Sequence, residues 1–145
     1  YDAAQDECFF AEKGQGAWMN ETRMRVSGRR NLSDCVFATG LPSAGRSDLS
    51  QTLTDLAQLL PVSSGVRNLG TAALDMAYVA AGRVDGFWGR RLKLWDVAAG
   101  LMIVREAGGF CESIEPGGNL LQDGTVIAAN DQVFAPFCKI IRKGN

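Results

Sequence analysis

No histidine occurs among the 145 residues of the chain, and that absence removes more chemistry than any other feature of the composition. Ser-His-Asp and Cys-His nucleophilic catalysis, phosphohistidine chemistry and His-ligated zinc each lose an essential part. Proton transfer is left to carboxylates, lysine or metal-bound water. A dominant charge is missing too: 15 Lys and Arg stand against 16 Asp and Glu, a net charge of −1. No field over the whole domain draws it toward nucleic acid or an anionic membrane, so direct nucleic-acid binding is not expected. No apolar run reaches the roughly 18 residues that span a bilayer, and no basic-then-apolar leader opens the chain. The expectation is a cytoplasmic protein with no membrane partner. The four cysteines, Cys8, Cys35, Cys111 and Cys138, form no CxxC pair. None has an arginine six positions on, the spacing with which a cysteine phosphatase cradles phosphate. Buried reduced thiols are expected.

What is present has the balance of one ordinary folded domain, 46% hydrophobic and 21% charged, long enough to hide about two thirds of its unfolded surface without a metal or disulfide staple. Cys8 to Ala11, a Gly14-Gln15-Gly16 turn and Ala17 to Met19 predict a β-hairpin. Residues 21–34 are polar and basic. Their Arg23, Arg25, Arg29 and Arg30 lack interleaved aromatics and stand beside Glu21 and Asp34, which is the pattern of a solvated face. A strand over 35–39 follows. Ser47-Asp48 can then cap a helix on which Leu49, Leu53, Leu56 and Leu60 recur at helical spacing as a core stripe, stopped by Pro61. Further strands are expected at 66–69, 84–88, 110–114 and 125–129. Further helices are expected at 72–81, closed by Gly82, at 96–107, with Val97, Leu101 and Val104 inward, and after Asn130. Strand and helix alternate for most of the length, which predicts an α/β fold, a layered sheet with helices on both faces.

Ligands of open α/β sheets bind where strands end and helices begin, and two such places carry polar groups. At Gly70-Thr71-Ala72, glycine admits a ligand to the backbone, and the threonine hydroxyl either caps the helix or donates to an anion. At Leu94-Trp95-Asp96-Val97, an aspartate at a helix start is stabilised by the dipole and is a hard-oxygen ligand suited to Mg²⁺, or else is simply a cap. One carboxylate is not a metal site, because Mg²⁺ in a phosphatase takes more than one, with phosphate and water completing six positions.

Trp95-Asp96-Val97-Ala98-Ala99-Gly100 followed by Val104-Arg105-Glu106-Ala107-Gly108-Gly109 resembles the C-terminal signature of the inositol monophosphatase family, Mg²⁺-dependent and lithium-sensitive phosphatases. The stretch from Gly70 to Trp88 resembles the segment before that signature, and Ala11-Glu12-Lys13-Gly14-Gln15-Gly16-Ala17 resembles the turn closing the family's first half. The likeness covers essentially the whole chain. It implies the C-terminal part of such an enzyme: residues 1–34 as the hairpin and connector closing an N-terminal domain, and 35–145 as the C-terminal α/β domain of the fold shared with fructose bisphosphatase. The family's acidic Asp-Pro-(Ile/Leu)-Asp-Gly-Thr segment has no match here.

By the same resemblance Asp96 is a Mg²⁺ ligand, Trp95 lines the cleft, and Gly70, Thr71 and Ala72 meet the substrate, with Ser43 also reaching the pocket. Gly89 departs from the pattern, since many members carry there a glutamate that accepts from sugar hydroxyls. That weakens the case for myo-inositol phosphate more than the case for phosphatase chemistry. Arg90, Arg91 and Lys93 suit a more anionic substrate or, equally, a solvent-facing loop or subunit contact. The implied activity is hydrolysis of a phosphorylated small molecule, by a homodimer. The rival expectation, drawn from some bacterial relatives, is a non-catalytic module that binds the transcription machinery.

Overall fold

The computed structural model describes residues 1–41 and 49–143; Ser43 and the Ser47-Asp48 cap lie outside the described residues. The chain opens with three antiparallel strands, β1 (Phe9–Glu12), β2 (Gly16–Met19) and β3 (Thr22–Met24). β1 and β2 are the expected hairpin, with Gly14 and Gly16 at φ of +79° and +89° in the turn. β3 was not expected, because its polar Thr22-Arg23 dipeptide hides a strand whose inward residue is Met24.

The second sheet has five strands in the order β5-β4-β6-β8-β7, formed by β4 (Val36–Thr39), β5 (Gly65–Arg67), β6 (Gly86–Gly89), β7 (Phe110–Glu112) and β8 (Val126–Ala129). β4 pairs in parallel with both β5 and β6, while β8 runs antiparallel to β6 and β7. Neighbouring residues of its central strands face opposite ways and are buried on both sides. Ala38, Phe87 and Ala128 enter the core shared with helices α2 (Ala72–Ala80) and α3 (Leu94–Glu106). Phe37, Trp88 and Ile127 enter the core shared with α1 (Leu49–Leu59) and α4 (Phe134–Arg142). The three-stranded sheet packs through Phe9, Ala17 and Met24 onto the α2/α3 side. The layers are therefore helices, sheet, helices and a small outer sheet, an α/β architecture as expected.

Three expectations need correction. The expected stripe of Leu49, Leu53, Leu56 and Leu60 is not the core face of α1, since of these four Leu56 alone packs against the core. The helix turns Thr52, Asp55 and Leu59 inward, and Leu49, Leu53 and the following Leu60 stay about half exposed. Asp55 on that inner side is ion-paired with Arg90, as a buried carboxylate must keep its partners. α3 begins at Leu94, so Asp96 is the third residue of the helix, and its Oδ2 reaches back to accept the Lys93 amide at 2.8 Å. Cys35, Cys111 and Cys138 are buried thiols, with burial pushing their pKa values up to about 12, 12 and 11, but Cys8 is exposed.

The connector between the sheets is pinned rather than loose. Asp85, wholly buried, accepts from the Ser27 hydroxyl, from Arg29 at 3.1 Å and from the Val36 amide at 2.8 Å. Asn130 donates to Ser27 at 2.8 Å, and its own oxygen caps the turn into α4 through Gln132 and Val133.

Candidate active site at the ends of the parallel strands

The chain leaves β4 for α1 on one face of the sheet and leaves β5 for α2 on the other, so a crevice opens beyond the carboxyl end of β4. A cleft of about 320 Å³ lies at that end, enough for a small phosphate ester. Thr39 and Gly40 from β4, Gly70 to Ala72 after β5, and Trp88 to Leu92 from β6 all line it, and Asp96 comes in from α3.

Gly70 has φ of +98°, a conformation that favours glycine, and it delivers Thr71 to the start of α2 in extended conformation. Thr71 occupies the cap position, yet its hydroxyl makes no capping hydrogen bond. Among the described residues the first-turn amides and this hydroxyl therefore have no side-chain acceptor, and Thr71 and Ala72 line the cleft, an arrangement suited to an anion. Asp96 stands half-buried on the same cleft. One of its oxygens is spent on Lys93, and the other has no hydrogen-bond partner among the described residues.

Trp95 is 79% exposed and is not among the residues lining the cleft. Gly89 does line it, and a Cβ there would sit 2.7 Å from Leu92 Cδ1 and 2.8 Å from Phe87 Cζ. Two apolar side chains fill the space in which a longer side chain would begin. Arg91 turns the strand end with a left-handed φ of 56°, an uncommon conformation outside glycine, and Leu92 is then held by its amide on Gly124 O at 2.9 Å.

Two carboxylates of the region escape sequence reasoning. Asp55, 1% exposed, accepts from Trp88 Nε1 at 3.0 Å, Arg90 Nε at 3.1 Å, Arg90 Nη2 at 3.2 Å and Gln51 Nε2 at 3.1 Å. Its position on α1, among the polar Gln51, Thr52, Thr54 and Gln58, carried no signal. Asp75, one turn into α2, is fully buried with neither oxygen hydrogen-bonded among the described residues, and burial pushes its pKa up from 3.8 to about 7. Among the described residues no three acidic, cysteine or histidine side chains gather to hold a metal ion. Among the described residues lining the cleft, Asp96 thus presents the one carboxylate oxygen without a hydrogen-bond partner, too little by itself to hold a Mg²⁺ ion.

Fold and cleft together define an α/β protein with an anion-receiving crevice at the switch point of its sheet. The family description "Inositol monophosphatase family" matches residues 1–143. The chain is 46% identical over 143 residues to an inositol-1-monophosphatase of Mesorhizobium japonicum, covering 99% of this chain and 54% of that protein. It is 41% identical over 133 residues to the Nus factor SuhB of Escherichia coli, covering 92% of this chain and 50% of that protein. Among solved structures, the extragenic suppressor protein suhB of Bartonella henselae superposes with a TM-score of 0.94 at 46% identity, over 100% of this chain and 56% of that one. The chain belongs to the inositol monophosphatase family. It spans about half the length of the curated relatives it matches.

Proposed function

We propose that the chain is part of a Mg²⁺-dependent, lithium-sensitive phosphate monoester hydrolase, inositol-1-monophosphatase-like, acting in the cytoplasm on phosphorylated small molecules. One observation carries this reading: Asp96 and the uncapped Gly70-Thr71-Ala72 helix start face one cleft. Asp96 holds a metal ion there, and the helix start receives the phosphoryl oxygens through its amides and the Thr71 hydroxyl. When bound, Mg²⁺ supplies Lewis acidity and an activated water. The other metal ligands lie outside this chain, in keeping with the half-length match and with the lack, among the described residues, of three acidic side chains gathered together. Residues 1–34 close a preceding domain, and 35–145 form the α/β domain. The half-exposed Leu49, Leu53 and Leu60 suit a homodimer contact. Trp95, exposed beside Asp96 at the start of α3, and Ser43 act as further substrate contacts in the whole protein.

The test is phosphate release by the whole protein from inositol 1-phosphate and other monoesters, with and without Mg²⁺. Mg²⁺-dependent turnover is expected, and its absence on every ester overturns the reading. The 41% identity to a Nus factor supports the second reading, a non-catalytic module on the bacterial transcription machinery. Capture of RNA polymerase by a whole protein that hydrolyses no ester decides for it.

A further inference from the structure

The wall of the cleft formed by the end of β6 carries a guanidinium that is held more firmly than a surface charge needs. Both oxygens of Asp55 are filled: Oδ2 takes Trp88 Nε1 and Arg90 Nε, and Oδ1 takes Arg90 Nη2 and Gln51 Nε2. The carboxylate is 1% exposed and the Arg90 side chain 14% exposed. A buried ion pair gives little net stability over an apolar pair of the same shape, so its worth lies in fixing a position. The fork of two bonds fixes the plane of the guanidinium. Arg90 lines the cleft, and its Nη1 has no hydrogen bond to the described residues.

The acceptors in that cleft are as informative. Among the described lining residues the carboxylates are Asp55 and Asp96. Asp55 has no lone pair to spare, and Asp96 stands on the opposite face of the sheet, on α3. At Gly89 there is no side chain, and Leu92 and Phe87 fill the adjoining space. A substrate reaching from Asp96 toward β6 therefore meets a charged donor and no free carboxylate.

We propose that Arg90, clamped by Asp55 and Trp88, binds the non-phosphate end of the substrate, and that this end carries an anionic acceptor, a carboxylate or a second phosphate. The inference rests on the phosphatase reading and names the substrate class within it. Nη1 donates to the acceptor oxygen while Nε and Nη2 stay on Asp55. A neutral polyol phosphate forgoes the charge-assisted bond.

Two esters that differ only at that end test it: 3-phosphoglycerate carries a carboxylate where glycerol 3-phosphate carries a hydroxymethyl group. The whole protein with Mg²⁺ is expected to favour 3-phosphoglycerate in kcat/KM by about tenfold or more, the worth of one charge-assisted hydrogen bond. Arg90→Gln removes most of that preference through a raised KM for the carboxylate ester. Because Arg90→Gln strands a buried carboxylate, the double variant Arg90→Gln/Asp55→Asn supplies a neutral pair that folds. It too lacks the preference, and Arg90→Lys does not restore it, since one ammonium cannot hold the clamp and reach the substrate together. A preference that survives in the double variant, or equal hydrolysis of both esters by the parent, overturns the inference and leaves the phosphatase reading standing. Release of phosphate from neither ester nor from inositol 1-phosphate overturns both.

Discussion

Gly100 of α3 packs directly against Met76 of α2, and replacing it tests whether the contact of these helices sets the geometry of the cleft. A Cβ at that position would lie 2.8 Å from Met76 Cβ and 2.8 Å from Met76 Sδ, 0.6 Å short of the 3.4 Å at which ordinary contact begins. The sulfur can swing away, but the Met76 Cβ is fixed to the backbone of α2, so Gly100→Ala must part the helices. Overpacking of this kind costs about 1–3 kcal/mol. Alanine's better helix propensity returns about 1 kcal/mol, which leaves a net loss of about 0–2 kcal/mol. The effect on function is larger, because α2 carries Thr71 at its start and α3 carries Asp96 in its first turn. A displacement approaching 1 Å between groups that must meet one phosphoryl group lowers kcat by roughly tenfold to a hundredfold. Chemical denaturation and phosphate release by the whole protein measure the two effects side by side. A variant with kcat within twofold of the parent would show that the cleft does not depend on this helix contact.

The remaining predictions concern the interior and the hairpin. Asp75 has a folded pKa raised from 3.8 to about 7 by burial, so its contribution to stability is present in acid and is lost as pH rises across that interval. The loss amounts to a few kcal/mol at roughly 1.4 kcal/mol per pKa unit. Asp75→Asn is expected to gain stability relative to the parent between pH 5 and pH 8, read as denaturant midpoints; an equal offset at both pH values counts against an orphaned Asp75. Glu106, at the end of α3, accepts the Gly14 and Gly16 amides at 2.9 and 3.0 Å, and these bonds hold its pKa below the usual carboxylate range. Glu106→Gln is expected to speed amide exchange at Gly14 and Gly16 with the rest of the chain unaffected. Exchange that is unchanged there would mean the hairpin tip is held by its own turn.

Most of the layer order was legible because it rests on period. Phe37-Ala38, Phe87-Trp88 and Ile127-Ala128 are apolar on successive residues, the mark of strands buried on both faces, and Val97, Leu101 and Val104 mark the inner face of α3. The pattern failed at α1, where four leucines at helical spacing pointed to one face and the inner side instead carries an aspartate bonded to an indole and a guanidinium. No periodicity rule sees such a partner, since Arg90 lies 35 residues away. At the site, Gly70, Thr71 and Asp96 were legible as helix-start chemistry, and the family resemblance added that they face one cleft. What remained hidden was how side chains are spent: that Thr71 does not cap its helix, that Asp96 caps with one oxygen only, and that Leu92 occupies the room beside Gly89.

Asp96→Asn in the whole protein, assayed for phosphate release across a Mg²⁺ titration, bears most directly on the role given to this carboxylate. An amide oxygen can still accept the Lys93 N–H at the start of α3, so the helix keeps its cap while the cleft loses its negative charge. In this variant kcat at saturating Mg²⁺ is expected to fall by about a hundredfold or more, with thermal stability close to the parent's. Full kcat at saturating Mg²⁺ would remove Asp96 from the metal site and contradict the account.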